Sequence, residues 1–369
     1  MFYFDSFDVA NATLVFIIMF GVGASLDLEA AKKHFNQKVA LIAGSFNQYA
    51  IAPLLFWGFS QMDDEIPLQF RAGMIIIGTC PGGVLSNVVC MWLHADPSLS
   101  ITLTSWTVLL SLGALPLNLF IYLDVAGLGT PPNSLQQNQT TYQNSSNPFH
   151  FQTDWIGISV SFVSVIGGVL LGILIQFLIK SKRILKRLEL LGIITCIPQA
   201  ALALTANVKS DAPVWKMPGL VYVLLLSPTL VLFFLALISG HYVLKLPKPS
   251  STALAVEASI QNVNVAIGIL SLSINDPELR AQSLGVPLAH ATIELFLTLL
   301  FGLALWKFGW TELDPHGTNP FTVWCREYYH TAFKGSSEEL SLKEPRIDED
   351  KIHDSVRLSP QAVDNHSVI

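Results

Sequence analysis

A chain of 369 residues, 51% of them hydrophobic and only 13% charged, falls far short of the roughly 25% charge of soluble domains. Much of its charge, net −6, lies in residues 311–369, and no basic stripe suits nucleic acid. These figures exclude a soluble globular domain and point to an all-α polytopic membrane protein.

About 20 apolar residues suffice for one crossing. Nine transmembrane helices are predicted, at 9–28, 39–60, 69–93, 98–123, 154–180, 188–208, 217–244, 251–274 and 284–309. The leader before the first carries Asp5 and Asp8 and no Lys or Arg, whereas a cleavable signal needs a positive start. The first stretch is therefore read as a span with its N-terminus outside. Loops assigned to the cytoplasm hold Lys32, Lys33 and Lys38, then Lys180, Lys182, Arg183, Lys186 and Arg187, then Lys245 and Lys248. Those assigned outside hold Asp63, Asp64, Glu65, Asp276 and Glu278. The loop 124–153 has no Lys or Arg and carries two glycosylation sequons, at Asn138 and Asn144. Both signals agree on a multi-pass membrane protein with a cytoplasmic C-terminus, and the plasma membrane is its expected location. The domain division follows: a transmembrane unit, 1–310, and a cytosolic, largely disordered tail, 311–369. The end, Ser367-Val368-Ile369, fits capture by a PDZ domain. Cys80, Cys90, Cys196 and Cys325 show no paired spacing and read as small hydrophobes.

The second span holds Gln48 and Pro53, and the third reads GTCPGGVLSNVVCMW over 78–92. Pro81 removes a helical hydrogen bond, and Gly82 and Gly83 weaken the turn, so a helix break is predicted there. Carbonyls freed at that depth must face protein or a cavity. Ser86 and Asn87 follow at once, and Ser100 and Thr104 share one face of the fourth span. The eighth span carries Glu257, Ser259, Gln261 and Asn262 among apolar residues, with no Lys or Arg inside it. A carboxylate at membrane depth needs a partner. A bound cation would serve, and sodium suits carboxylate, amide and carbonyl oxygens; a protonated Glu257 bonded to an amide is the plainer alternative. In the ninth span His290 and Glu294 stand four apart, either as a proton-sensitive pair at a cavity or as a hydrogen bond at a helix contact.

A spacing recurs. Pro53 precedes Asn87 by 34 residues, and Pro228 precedes Asn262 by 34. Spans two to four and seven to nine thus read as inverted repeats, an architecture of secondary transporters.

These segments resemble the bile acid:sodium symporter family over residues 9 to about 309. The match rests on CPGG-x-x-SN at 80–87, Ser100 with Thr104, LPLNLFIY at 115–122 and E-x-x-x-QN at 257–262. The resemblance implies a core of spans two to four and seven to nine, in which two broken helices cross, and a panel of spans one, five and six. It implies two sodium ions. One would be held by Ser86, Asn87, Ser100, Thr104 and Glu257. The other would use Gln48, Glu257, Gln261 and the carbonyls of Ala258 and Ile260. Asn262 would join sodium to substrate, and His290 falls at a substrate-binding position. The implied function is sodium-coupled symport of bile acids or related amphipathic organic anions. A proton-coupled or sodium-independent anion carrier is the alternative, and a membrane receptor stands further off. No HExxH, GxSxG or paired intramembrane aspartates suggests an enzyme.

Overall fold

The computed structural model describes residues 6–26, 38–128, 155–179 and 181–312. The chain divides into two units, 1–320 and 321–369, and all of these residues belong to the first. The sequons Asn138 and Asn144, nearly all of the predicted tail and the C-terminal motif lie outside the described residues.

Seven helical spans among the described residues are long and apolar enough to cross a membrane. The first is α1, Ser6–Ser25. The second begins as α2, Lys38–Phe46, passes through a π-helical turn, Asn47–Ile51, and continues as α3, Ala52–Ser60. Proline explains the wide turn. Pro53 has no N–H to give the Tyr49 carbonyl one turn back, so a regular helix fails there. The Asn118 side-chain amide donates to that carbonyl instead, at 3.0 Å. Asn118 belongs to α6, Pro97–Val125, whose start Asp96 caps by accepting the Leu99 N–H at 3.0 Å.

The remaining long helices are α7, Trp155–Leu178, α8, Lys182–Val208, α9, Gly219–Ile238, and α13, Gly285–Lys307. Helix α9 also ends in a π-helical turn, Ser239–Val243. Helix α1 packs on α7 and α8 through glycines. A Cβ on Gly172 would fall 2.4 Å from the Phe20 carbonyl oxygen, and one on Gly21 2.7 Å from the Gly192 Cα. Small residues let helix backbones approach closely where lipid gives no hydrophobic drive.

The other two predicted spans are broken. Helix α4, Leu68–Thr79, stops at Cys80, which is extended because Pro81 follows it. Helix α5, Val84–Leu93, resumes after Gly83. Later, α10, Lys248–Ser259, stops at an extended Ile260, and α11, Val263–Ser273, starts from Asn262, whose side chain accepts the Val265 N–H at 3.2 Å. A short α12, Pro277–Ser283, leads into α13. The two breaks pair with each other as an antiparallel bridge between Gly82 and Gln261. The Gly83 N–H donates to the Ile260 carbonyl at 3.3 Å, and the Asn262 N–H to the Pro81 carbonyl at 2.8 Å. Each break thus supplies backbone partners that the other cannot find within its own helix.

Candidate functional site

Glu257 ends one turn before the break in α10 and is 2% exposed. Gly82 faces it so closely that a Cβ there would lie 2.6 Å from Glu257 Oε1. Ser86 Oγ donates to Glu257 Oε2 at 2.6 Å, and Thr104 Oγ1 to Oε1 at 2.7 Å, with Ser100 Oγ 3.5 Å from Oε2. Asn87 Oδ1 completes the group, 2.8 Å from Ser100 Oγ and 3.0 Å from Thr104 Oγ1. Ser86 Oγ also meets the Gly83 carbonyl at 2.7 Å, and Thr104 Oγ1 the Ser100 carbonyl at 3.0 Å. Each hydroxyl has one proton and two or three oxygen neighbours. The cluster therefore holds more acceptors than donors.

A second group lies across the breaks. Gln48, turned inward within the π-helical turn, donates through Nε2 to the Cys80 carbonyl at 2.7 Å and to Gln261 Oε1 at 2.5 Å. Its own Oε1 is buried with no partner, and so is Gln261 Nε2. The Ile260 carbonyl accepts from Gly83 and keeps a second lone pair, while Ala258 is buried in the last turn of α10. Pro81 and Gly83 form the opposite wall, as their backbone bonds to 260 and 262 require.

Glu294, 1% exposed, is the acceptor for the Gln261 N–H at 2.6 Å. Its Oε1 also lies 3.0 Å from His290 Nδ1. His290 is fully buried; its Nε2 meets Thr229 Oγ1 at 3.1 Å, and its ring stands edge-on to Phe56 at 5.3 Å. The pair is thus both a helix contact and a tie to the break.

A cavity of about 490 Å³ opens beside the breaks. Its floor carries Gly83, Gln261, Asn262 and Glu294, and its walls are largely apolar, with Ile18, Val22, Ile193, Ile267 and Leu288 among them. Asn262 reaches it, whereas His290 is not among the lining side chains.

A sequence model of the Sodium Bile acid symporter family matches residues 12–212. The chain belongs to that family. It is similar to the sodium-dependent organic anion transporter of Bos taurus, with 27% identity covering 91% of this chain and 85% of the relative. The human ileal sodium/bile acid cotransporter is also 27% identical, over 78% of this chain and 76% of its own.

Three further polar groups tie the elements around the site together. Asn118 lies within LPLNLFIY, and its bond to Tyr49 depends on a proline 65 residues away in sequence (118 − 53). Thr229 follows Pro228 directly, and its link to His290 had no signal beyond a lone hydroxyl. Asn264 had a faint one, the alternating amides of QNVN; it donates to Cys196 Sγ at 3.3 Å in the cavity wall. Cys80, Cys90 and Cys196 are free thiols.

Proposed function

We propose that the protein is a sodium-coupled symporter of bile acids or related amphipathic organic anions. The observation that carries this reading is the oxygen excess around Glu257. Its contacts, Ser86, Ser100 and Thr104, are neutral, so its charge needs a small hard cation. Among the described residues no group of three or more His, Cys, Asp and Glu forms a transition-metal site. An all-oxygen donor set suits sodium, which is cargo here. Relatives named for sodium-dependent transport of organic anions and bile acids support the same reading.

In finer detail, one sodium is held by Ser86, Asn87, Ser100, Thr104 and Glu257. A second is held by Gln48, Glu257, Gln261 and the carbonyls of Ala258 and Ile260; the unpartnered Gln48 Oε1 is the support for it. Seven long helical spans and two broken pairs make nine crossings. Helices α1, α7 and α8 form the panel, and the rest form the core. The N-terminus is outside and the C-terminal tail cytoplasmic, at the plasma membrane, with glycans on Asn138 and Asn144 and a PDZ-binding end. In that orientation the cavity, lined by Ser25 and Glu189 near cytoplasmic helix ends, faces inward. The anion's apolar body lies on the aliphatic wall, while Asn262 joins its head to the sodium sites.

The test is uptake of a panel of labelled organic anions into cells, with sodium and with sodium replaced by choline. Sodium-dependent uptake of at least one amphipathic anion is expected. Uptake that follows the proton gradient and ignores sodium would overturn the reading in favour of the Glu294–His290 pair.

A further inference from the structure

Helices α1 and α8 behave differently at their two ends. At one end Gly21, Val22 and Ser25 of α1 and Glu189 and Gly192 of α8 line the cavity. At the other end the same helices are clamped to α12. Asp8 of α1 forms an ion pair with Arg280 of α12, Oδ1 to Nη1 at 2.5 Å, with both side chains only about a tenth exposed. Phe7 lies under the guanidinium, 5.1 Å from its centre, and Arg280 Nη1 also reaches the Ser271 carbonyl at 3.4 Å. From α8, Asn207 Nδ2 donates to the Ala281 carbonyl at 2.9 Å. Just beyond, the Asp211 N–H donates to Glu278 Oε1 at 2.7 Å. One turn along from Asp8, Asn11 is fully buried with neither amide atom partnered.

We propose that the Asp8–Arg280 pair is the latch of the outer gate, positioning α1 against α12 while the cavity faces inward. This rests on the carrier reading above. The physical case is the choice of contact. A buried ion pair gives up hydration on both sides, and well-packed apolar groups would hold a permanent seam as well or better. A seam that must part and be wetted has the opposite need. Water re-solvates Asp8 and Arg280 when they separate, whereas an apolar seam would expose its surface at full cost. Asn11 fits the same account: a buried amide left unpartnered here gains water once the seam opens. When the latch parts, the cargo enters between α1 and the core from outside.

The latch is tested through a thiol introduced by Val15→Cys. Val15 is 2% exposed and packs against Gly268 of α11, between the latch and the cavity. Intact cells receive a membrane-impermeant maleimide, and labelling at position 15 is read by peptide mass spectrometry per molecule at the surface. Asp8→Asn and Arg280→Gln are each expected to raise the labelling rate about tenfold, as loss of roughly 1.4 kcal/mol from the closed state would. The charge swap Asp8→Arg with Arg280→Asp is expected to restore the slow rate. A purely structural pair would change the amount at the surface and leave the rate per molecule unchanged, which would overturn the proposal. Should the single variants fail to reach the surface, the swap decides: slow labelling supports the latch, and fast labelling or absence of the swapped protein rejects it. Labelling that tracks the charge pair in cells with no anion uptake would count against the carrier reading and leave the latch standing.

Discussion

An ionised Glu257 has only neutral hydroxyls as its side-chain partners, and a carboxylate at membrane depth costs about 2.5–3.5 kcal/mol even on the mildest scale. In the proposed scheme two sodium ions share this carboxylate and offset that cost, so the residue should be indispensable to transport and not to folding. Glu257→Gln keeps the shape and removes the charge; sodium-dependent uptake should fall to background while surface biotinylation stays near wild type. Uptake near wild type in that variant would mean the sites are misassigned. The proposed scheme places Thr104 in one site only, and its hydroxyl lies within 3.0 Å of three oxygens. Thr104→Ala should raise the sodium concentration for half-maximal uptake and flatten the sodium curve toward first order. An unchanged curve would remove Thr104 from the site. Both residues were legible because an intramembrane carboxylate and a hydroxyl pair at helical spacing are conspicuous in apolar sequence. Gly82 was read only as a helix weakener. Its second role, leaving room for Glu257 Oε1, needs knowledge of a residue 175 positions later (257 − 82).

Elements were legible wherever their cause is local. Pro81, Gly82 and Gly83 announce the first break, and the long helices follow from runs of apolar residues. The second break has no proline or glycine of its own, since SIQN over 259–262 reads as ordinary helix with polar positions. It opens because the first break offers Pro81 O and Gly83 N–H to pair with it, and that cause is tertiary. The π-helical turn that contains Gln48 lies between the two cases: Pro53 marks the place, and Asn118 decides how the freed carbonyl is satisfied. Asn118→Leu, similar in size and unable to donate, should leave the Tyr49 carbonyl buried without its partner. The expected loss is about 1–3 kcal/mol, visible as a lower melting temperature of the purified protein. The same variant should need more sodium for half-maximal uptake, because Gln48 sits on that turn. A Tm equal to wild type would show that another group takes over the carbonyl.

For the whole molecule, charge arithmetic governs. Under the proposed scheme two sodium ions bring +2, Glu257 −1 and a monovalent anion −1, so the loaded centre is neutral and cheaper to hold at low dielectric. Each cycle then carries net +1 inward, and each charge gains about 2.3 kcal/mol per 100 mV of inside-negative potential. Current and labelled uptake measured together under voltage clamp should give one inward charge per monoanion. Sodium-dependent uptake with no current would rule out two sodium ions per anion. Orientation has its own test. Replacing Asn138 and Asn144 with Gln should abolish a glycan shift on gels, and an epitope at position 360 should label only after permeabilisation.

The rungs joining 81–83 to 260–262 also impose an order in time. A ribosome adds about 5–20 residues per second, so the roughly 180 residues between Gly82 and Gln261 take on the order of 10–40 s to make. Through that interval the first break has been made and the segment that pairs with it does not yet exist. The nascent chain must be sheltered by the insertion machinery, by water in the channel or by a chaperone at membrane depth. A chain ended at Pro247 is left in that unfinished state for good. In pulse-chase it should be cleared several times faster than the full chain. Supplying residues 248–312 as a separate polypeptide should slow its loss. Equal lifetimes of the two chains would show that the first break is satisfied without the second.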